Sequence, residues 1–196
     1  KRINIKEAYV GLVYNKGNFK EVLSKGSYWI SPFNEVLIYN KAVEFIPKTA
    51  LNILLANEKL AAMLEVIEVA EYEMVIHYRD NTFERVISAG KYAFWKDIAN
   101  FTFTKVDLRN TEISEDIDVG FLKKAEMYPY VLVAKIEANE KALLMLDGKF
   151  ERILSAGTYY FWKKAKAVTL HRVDMRVKQL EVAGQEILTK DKANLR

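Results

Sequence analysis

Short apolar runs separated by turn residues dominate the pattern of hydrophobic and polar positions along this chain. Residues 8–14 are rich in β-branched and aromatic side chains and predict a strand, and residues 15–18, which read Asn-Lys-Gly-Asn, predict a turn. Residues 19–23 predict a short second strand, and residues 28–30 and 36–45 complete a meander of about four strands. We therefore expect the first part of the chain to form a small antiparallel sheet.

The same pattern returns twice, and its second and third copies also share residues. Residues 83–96 and 150–163 are identical at ten of fourteen positions with an offset of 67. The match extends without a gap over residues 69–109 and 136–176, with sixteen identities in forty-one positions. A fainter first copy lies 64 residues earlier and keeps five positions in register: Phe19, Val22, Ser24, Gly26 and Tyr28. Such a repeat predicts a tandem array of similar small units.

Turn residues recur at the same place in each copy. The position after the second predicted strand is a structural turn glycine in all three: Gly26, Gly90 and Gly157. A left-handed backbone there would cost residues with a side chain more than it costs glycine. A serine lies two residues before each glycine, and we attribute it to side-chain-to-backbone bonding in the turn rather than to nucleophilic chemistry.

The repeat predicts a mainly β fold of the α+β type, with three tandem small antiparallel β modules joined by short helical connectors. A unit of about 40 residues buries little apolar surface alone, so we expect neighbouring modules to pack together. The predicted divisions are β module 1 (1–47), a helical connector (48–64), β module 2 (65–109), an acidic helical connector (110–129), β module 3 (130–180) and a tail (181–196).

The two connectors differ from the modules in their pattern. Apolar residues at helical spacing in the first predict one helix of about three to four turns, capped by Thr49 or Asn52. In the second, Ser114 is expected to cap a helix that begins with Glu115, and Pro129 is expected to end that helix.

Composition excludes several kinds of site. The chain is 51% hydrophobic and 12% aromatic, which is enough for a packed core, and it contains no cysteine for disulfides, thiolate metal sites or nucleophiles. The two histidines, His77 and His171, do not align between copies, because the third-copy equivalent of His77 is Leu144. We expect both to be surface or hydrogen-bonded histidines, and we expect no catalytic residue, no cofactor and no metal. No apolar run reaches the roughly 18–20 residues of a membrane-spanning helix.

Charge alternates along the chain. The net charge of +4 divides into +4 over residues 1–64, −5 over residues 65–129 and +5 over residues 130–196. This order fits neighbouring modules that attract one another, or surfaces that differ without a function, and it argues against a continuous nucleic-acid face. The acidic residues of the second connector lack the spacing of a calcium loop and predict a solvated face: Glu112, Glu115, Asp116 and Asp118.

Two sets of side chains are candidates for contacts with a partner. The aromatic doublets Phe94-Trp95 and Phe161-Trp162 either pack in the core and between modules or form a docking patch. Lysines beside the second doublet also allow a platform for single-stranded nucleic acid, which the acidic middle of the chain disfavours. The pairs Asp107/Arg109 and Asp174/Arg176 either bridge modules or subunits or form partly exposed local ion pairs.

Three segments of the third copy form a family signature. Residues 135–141 contain Ile136 and Glu140 in an I-x-x-x-E strand, residues 148–157 read Gly-Lys-Phe-Glu-Arg-Ile-Leu-Ser-Ala-Gly, and residues 174–191 run from Asp-Met-Arg to Thr-Lys-Asp. This region, 135–191, resembles the opening of an SPFH (band 7) domain of the stomatin and slipin type. Family members usually carry proline before the turn glycine, where this chain has alanine or lysine.

The resemblance implies a non-enzymatic scaffold that self-associates and works through protein–protein contacts near a membrane. It also implies an alternative role as a substrate adaptor for a membrane-bound protease of the NfeD type. On this interpretation the chain is the N-terminal part of a longer protein. It is expected to be intracellular and peripheral to the cytoplasmic side of a membrane, to touch the membrane only through regions outside residues 1–196, and to bind no nucleic acid.

Overall fold

The computed structural model describes residues 1–176, 187–188 and 194–195. The chain is mainly β and is made of several small antiparallel sheets, which confirms the mainly β part of the predicted class. Residues 1–110 form one compact unit and residues 111–196 form a second. The first unit holds the first two copies of the repeat, and the second unit holds the third copy.

The first copy forms two sheets from five strands. Its strands are β1 (Arg2–Ile5), β2 (Tyr9–Asn15), β3 (Asn18–Leu23), β4 (Gly26–Trp29) and β5 (Asn34–Asn40). Strand β1 pairs with β4, while β2 lies between β3 and β5, and all neighbours are antiparallel. The predicted meander of about four strands is therefore wrong. Strand β1 was missed because its alternating Arg-Ile-Asn-Ile pattern covers only four residues, and β5 ends earlier than predicted, at Asn40.

The second copy has the same strand order. Two short helices, α1 (Leu51–Leu55) and α2 (Glu58–Met63), lead into it. Its strands are β6 (Leu64–Val69), β7 (Glu73–Arg79), β8 (Thr82–Ile87), β9 (Gly90–Trp95) and β10 (Phe101–Asp107). Strand β6 pairs with β9, and β7 lies between β8 and β10.

The third copy repeats this arrangement in the second unit. A short helix α3 (Val119–Leu122) and a 3₁₀ turn (Ala125–Met127) precede it. Its strands are β11 (Val131–Ile136), β12 (Glu140–Leu146), β13 (Lys149–Leu154), β14 (Gly157–Trp162) and β15 (Val168–Asp174). Strand β11 pairs with β14, and β12 lies between β13 and β15. Two-residue strands, β16 (Ile187–Leu188) and β17 (Asn194–Leu195), also pair with each other.

The helices differ from the predicted connectors. One helix was expected between residues 49 and 64, but the chain breaks it at Ala56, and Asn57 caps α2 by accepting a hydrogen bond from the Leu60 N–H. In the second connector the cap is Asp118, which accepts from the Phe121 N–H at 2.8 Å, rather than Ser114. A helix is expected to begin where a side-chain acceptor reaches its free N–H groups, and several residues of each connector could serve.

Each copy buries the same positions. Inside each copy, four equivalent residues face one another: one from each of the first three strands and one from the end of the fourth. In the first copy these are Ile5, Val13, Leu23 and Ile30, and in the third they are Ile136, Leu144, Leu154 and Phe161. The second copy has Val69, His77, Ile87 and Phe94 at these positions. A single repeated pattern thus specifies three similar cores.

A second core joins the first two copies within residues 1–110. It contains Val10, Leu12 and Tyr14 from the other face of β2, Leu54 and Leu60 from the helices, and Leu64, Ala93 and Trp95 from the second copy. Strand β2 is therefore buried on both faces, which explains why its sequence is apolar almost throughout. The expected packing between neighbouring copies exists in this unit.

The turn before the fourth strand is the same in all three copies. The glycines have φ angles of 153°, 149° and 152° at Gly26, Gly90 and Gly157, in the range that side chains rarely adopt. Two residues later a tyrosine hydroxyl donates back to the serine carbonyl of the turn: Tyr28 to Ser24 (3.0 Å), Tyr92 to Ser88 (3.1 Å) and Tyr159 to Ser155 (3.1 Å). The repeated serine thus contributes its carbonyl oxygen, rather than the side-chain bond predicted for it.

Candidate interaction surface

The fifth strand of each copy (β5, β10 and β15) ends in the same backbone cap. A side-chain oxygen of its last residue accepts a hydrogen bond from the N–H two residues further on, and the N–H in between bonds back to the loop before the second strand. The cap pairs are Asn40 with Ala42 (2.9 Å), Asp107 with Arg109 (2.9 Å) and Asp174 with Arg176 (3.0 Å). This cap turns the chain out of the sheet at one fixed point.

The predicted aspartate–arginine pairs belong to these caps. The Arg109 guanidinium donates to both oxygens of Asp107, at 2.9 Å from Nε and 2.6 Å from Nη2, and lies 4.2 Å from the Tyr72 ring centroid. Arg176 binds Asp174 in the same way. Hydrogen bonds from the arginine hold the pKa of each aspartate below its usual value. The pairs form within one copy, so the interpretation as a bridge between modules is wrong.

After the first cap, the first linker (residues 41–50) lies against the second copy. The Phe45 N–H donates to the Ala93 carbonyl at 2.9 Å, which places the linker along the outer edge of β9. Glu44 forms an ion pair with Arg85, and Lys41 forms one with Asp97. Both Ala93 and Phe45 are buried.

The second linker (residues 108–118) meets the third copy in the same register. The Ile113 N–H donates to the Tyr160 carbonyl at 2.9 Å, and the Trp162 N–H donates to the Thr111 carbonyl at 2.8 Å. Glu112 accepts two hydrogen bonds from the Arg152 guanidinium, at 2.6 and 2.8 Å. Since Ala93 and Tyr160 are equivalent, as are Arg85 and Arg152, one docking arrangement occurs twice.

No residue of the range 1–176 covers the equivalent edge in the first copy. Trp29 on β4 stands where Ala93 and Tyr160 stand, and its side chain is 82% exposed. Lys1 exchanges both main-chain hydrogen bonds with Ile30, so the N–H and C=O of Trp29 point away from β1. Within residues 1–176, no segment takes the place of the linkers here. Phe33, in the turn after β4, is also 85% exposed.

The aromatic doublets lie inside the protein. Phe94, Trp95, Phe161 and Trp162 are at most 2% exposed, so the predicted docking patch at these residues is wrong. Adjacent strand residues point to opposite faces, and both faces of β9 are covered: Phe94 packs in the core of the second copy, while Trp95 packs in the core shared with the first. The alternative of core and intermodule packing describes the first doublet correctly.

His77 is the unexpected side chain of this region. It is 1% exposed, and neither ring nitrogen has a hydrogen-bond partner among the described residues. Its Nδ1 lies 3.4 Å from Glu84 Oε2 without the alignment of a hydrogen bond. Burial lowers the pKa of His77 below 6.5, opposed by Glu84 and supported by Arg85 and Arg79. The prediction of a surface or hydrogen-bonded histidine is wrong for His77, while His171 is exposed on β15.

The His77 ring borders a cavity of about 260 Å³ below the first linker, with Val43, Glu44, Glu84, Arg85 and Phe94 as the other lining residues. The alignment with Val13 and Leu144 carried the signal for its burial, because those positions are apolar in the other copies. In the described part of the chain, no three histidine, aspartate or glutamate side chains are placed to hold a metal ion.

Comparison with protein-family models, curated proteins and solved structures finds no match for this chain. The resemblance of residues 135–191 to an SPFH domain stays a prediction, and its last part, with most of the predicted tail, lies outside the described residues. Among the helices that the structure describes, none has the length and apolar character needed to cross a membrane.

Proposed function

We propose that this chain is a non-enzymatic scaffolding module, built from three tandem β modules, that assembles with other proteins through sheet edges. The open edge of β4 is the observation that carries the proposal. Unpaired edge strands attract further strands, and native proteins normally cover or blunt them. Here the same edge is covered in the second and third copies, while in the first copy the tryptophan is exposed and its outward main-chain groups have no partner within residues 1–176.

The chemistry of this edge favours a protein partner. Main-chain donors and acceptors with adjacent aromatic side chains are the features that strand addition uses for binding. Tryptophan is also among the residues that most often dominate the binding energy of protein interfaces. The resemblance to stomatins and slipins adds a setting, which is the cytoplasmic side of a membrane, and a mode of action, which is self-association.

Sedimentation velocity of residues 1–196 over a wide range of protein concentration tests this proposal. We expect the average sedimentation coefficient to rise with concentration for the unmodified chain. A chain that stays monomeric at every concentration contradicts a self-associating scaffold. The test does not depend on which residues mediate assembly.

A further inference from the structure

We infer that the cavity bordered by His77 binds a small uncharged aromatic molecule that carries a hydroxyl group. The inference is independent of the scaffolding function proposed above, because it concerns the inside of the second copy and its linker rather than a sheet edge. It follows from three observations: the size and lining of the cavity, the ring nitrogens of His77, and the pairing of the charged side chains around them.

The size and lining of the cavity suit one aromatic ring. Its volume is about 260 Å³, and Val43 and Glu44 of the first linker form one wall while side chains of the second copy form the rest. An apolar cavity of about 150 Å³ already holds a benzene molecule, so a substituted ring has room here. Phe94 and His77 both line the cavity, and aromatic ligands pack well against such rings.

The imidazole of His77 offers hydrogen bonds that no described residue takes up. The residue is buried, and neither of its ring nitrogens has a partner in the described part of the chain. Its Nδ1 lies on the side of the ring toward Glu84, at 3.4 Å from Oε2, and Glu84 also lines the cavity. Buried polar groups in native proteins nearly always find a partner, so these nitrogens point to a ligand with a polar group.

The protonation state of His77 defines that polar group. Burial holds the pKa of His77 below 6.5, so at neutral pH the ring is uncharged and has one N–H donor and one acceptor nitrogen. A hydroxyl group both donates and accepts a hydrogen bond, and it can therefore pair with either nitrogen.

The charged side chains around the cavity are already paired, which disfavours a charged ligand. Glu44 forms an ion pair with Arg85, and Glu84 forms one with Arg79 at 3.0 Å. A charged ligand would have to break one of these pairs or give up its hydration without meeting an opposite charge. The site therefore selects an uncharged ring whose hydroxyl bonds to His77.

Two probes that differ in one group test this inference. The first, 4-fluorophenol, carries the hydroxyl, and the second, 4-fluorotoluene, has a methyl group of similar size in its place. The fluorine of each probe reports binding to residues 1–196 by ¹⁹F NMR at neutral pH. We expect saturable binding of 4-fluorophenol and weaker binding of 4-fluorotoluene, because only the first supplies a partner for the imidazole.

A matched pair of histidine variants assigns the hydrogen bond. His77→Leu introduces the apolar residue of the third copy and should weaken 4-fluorophenol binding by about tenfold or more, but 4-fluorotoluene binding by less than about threefold. His171→Leu, at an exposed position, should change neither. In His171→Leu the remaining imidazole signals belong to His77, and 4-fluorophenol should shift its ¹⁵N signals whereas 4-fluorotoluene should not.

A second pair of variants locates the site without altering the histidine. Val43 lines the cavity and is 47% exposed, so Val43→Trp can fill the cavity from the linker side with little effect on folding. It should weaken both probes by about tenfold or more. Ile46→Trp is the control, because Ile46 lies on the same linker, is 72% exposed and does not line this cavity.

Three outcomes overturn the inference. The absence of saturable binding by either probe would mean that the nitrogens of His77 bond only to water. Equal binding of 4-fluorophenol by the unmodified chain and by His77→Leu would show that the imidazole is not its partner. Unchanged affinities in Val43→Trp would place the bound probes elsewhere. Each of these results leaves the scaffolding proposal untouched, since that proposal is tested by sedimentation alone.

Discussion

The imidazole of His77 stacks on the ring of Phe103, with 5.0 Å between the ring centroids and 9° between their planes. Phe94 and Phe101 contact the same imidazole at 4.8 and 5.4 Å. The histidine thus fills a core position with aromatic neighbours while its nitrogens gain no hydrogen bond in the described part of the chain. An unpaired buried polar group of this kind is a cost to stability that an apolar side chain would not carry.

Replacing His77 with leucine, the residue of the third copy, should stabilise residues 1–110 by about 1–3 kcal/mol at neutral pH. Lowering the pH should also reduce the stability of the unmodified chain more than that of the His77→Leu variant. The folded pKa of His77 lies below 6.5, so the unfolded state binds the proton first, and stability should fall as the pH drops below 6.5. Urea unfolding at several pH values measures both effects.

His171→Leu is the matched control, because His171 lies exposed on a strand of the third copy. It should change neither the stability of residues 1–110 nor their pH dependence. If His77→Leu leaves the slope of stability against pH between 5 and 6.5 unaltered, a different group causes the acid sensitivity.

The sequence predicted the strands of each copy better than the contacts between copies, for physical reasons. Strand alternation and the turn glycines are local, so the repeat revealed most of β2, β3 and β4 and their equivalents. The burial of both Phe94 and Trp95 depends on what covers each face of β9, which alternation alone does not specify. The docking of the linkers was missed because Glu44 and Glu112 lie outside the aligned repeat and stand at different distances from their caps.

Trp95→Ala should destabilise residues 1–110 as a whole. The ring is 1% exposed, packs edge-to-face on Phe45 at 4.7 Å, and belongs to the core that joins the first two copies. The expected loss is about 3–5 kcal/mol, as for other large-to-small changes in a core. Trp29→Ala, at an 82% exposed position, should cost less than about 0.5 kcal/mol in the monomer.

Chemical denaturation monitored by fluorescence and by circular dichroism checks this prediction. Both probes should report a single unfolding transition for residues 1–110, and in the Trp95→Ala variant this transition should shift to lower denaturant concentration by the same amount in both probes. Separate transitions for the first and second copies would show that the shared core does not couple them.

Gly90→Ala should be more destabilising than Gly157→Ala. Both residues have φ near 150°, so alanine is strained at either position by about 1–3 kcal/mol. An added Cβ at Gly90 also lies 3.2 Å from the Tyr92 ring, whereas at Gly157 the nearest ring atom is at 3.7 Å. Thermal melts of the two variants give the order, and equal losses would mean that the tyrosine ring moves aside freely.

The ion pair between Arg85 and Glu44 should couple more strongly than the pair between Arg152 and Glu112. The Glu44 side chain is 18% exposed and that of Glu112 is 46% exposed, so water screens the first pair less. Double-mutant cycles to alanine should give about 0.5–1 kcal/mol for the first pair and less for the second, and both values should shrink in high salt. Coupling of the Glu112 pair that equals or exceeds that of the Glu44 pair contradicts this ranking.

Asp107→Asn should lower stability at neutral pH and leave it unchanged in strong acid. Asparagine can keep the backbone cap, as Asn40 does in the first copy, but it loses the charged contact with Arg109. Hydrogen bonds from Arg109 lower the pKa of Asp107 below 3.8, so its contribution is complete above that pH and disappears as the pH falls through the lower folded value. Melting temperatures of the two proteins should therefore converge in acid. Glu151→Gln is the control, because Glu151 is exposed and has no ion pair within residues 1–176. If the melting temperatures of Asp107→Asn and the unmodified chain differ by the same amount at every pH, the loss of stability comes from the cap instead.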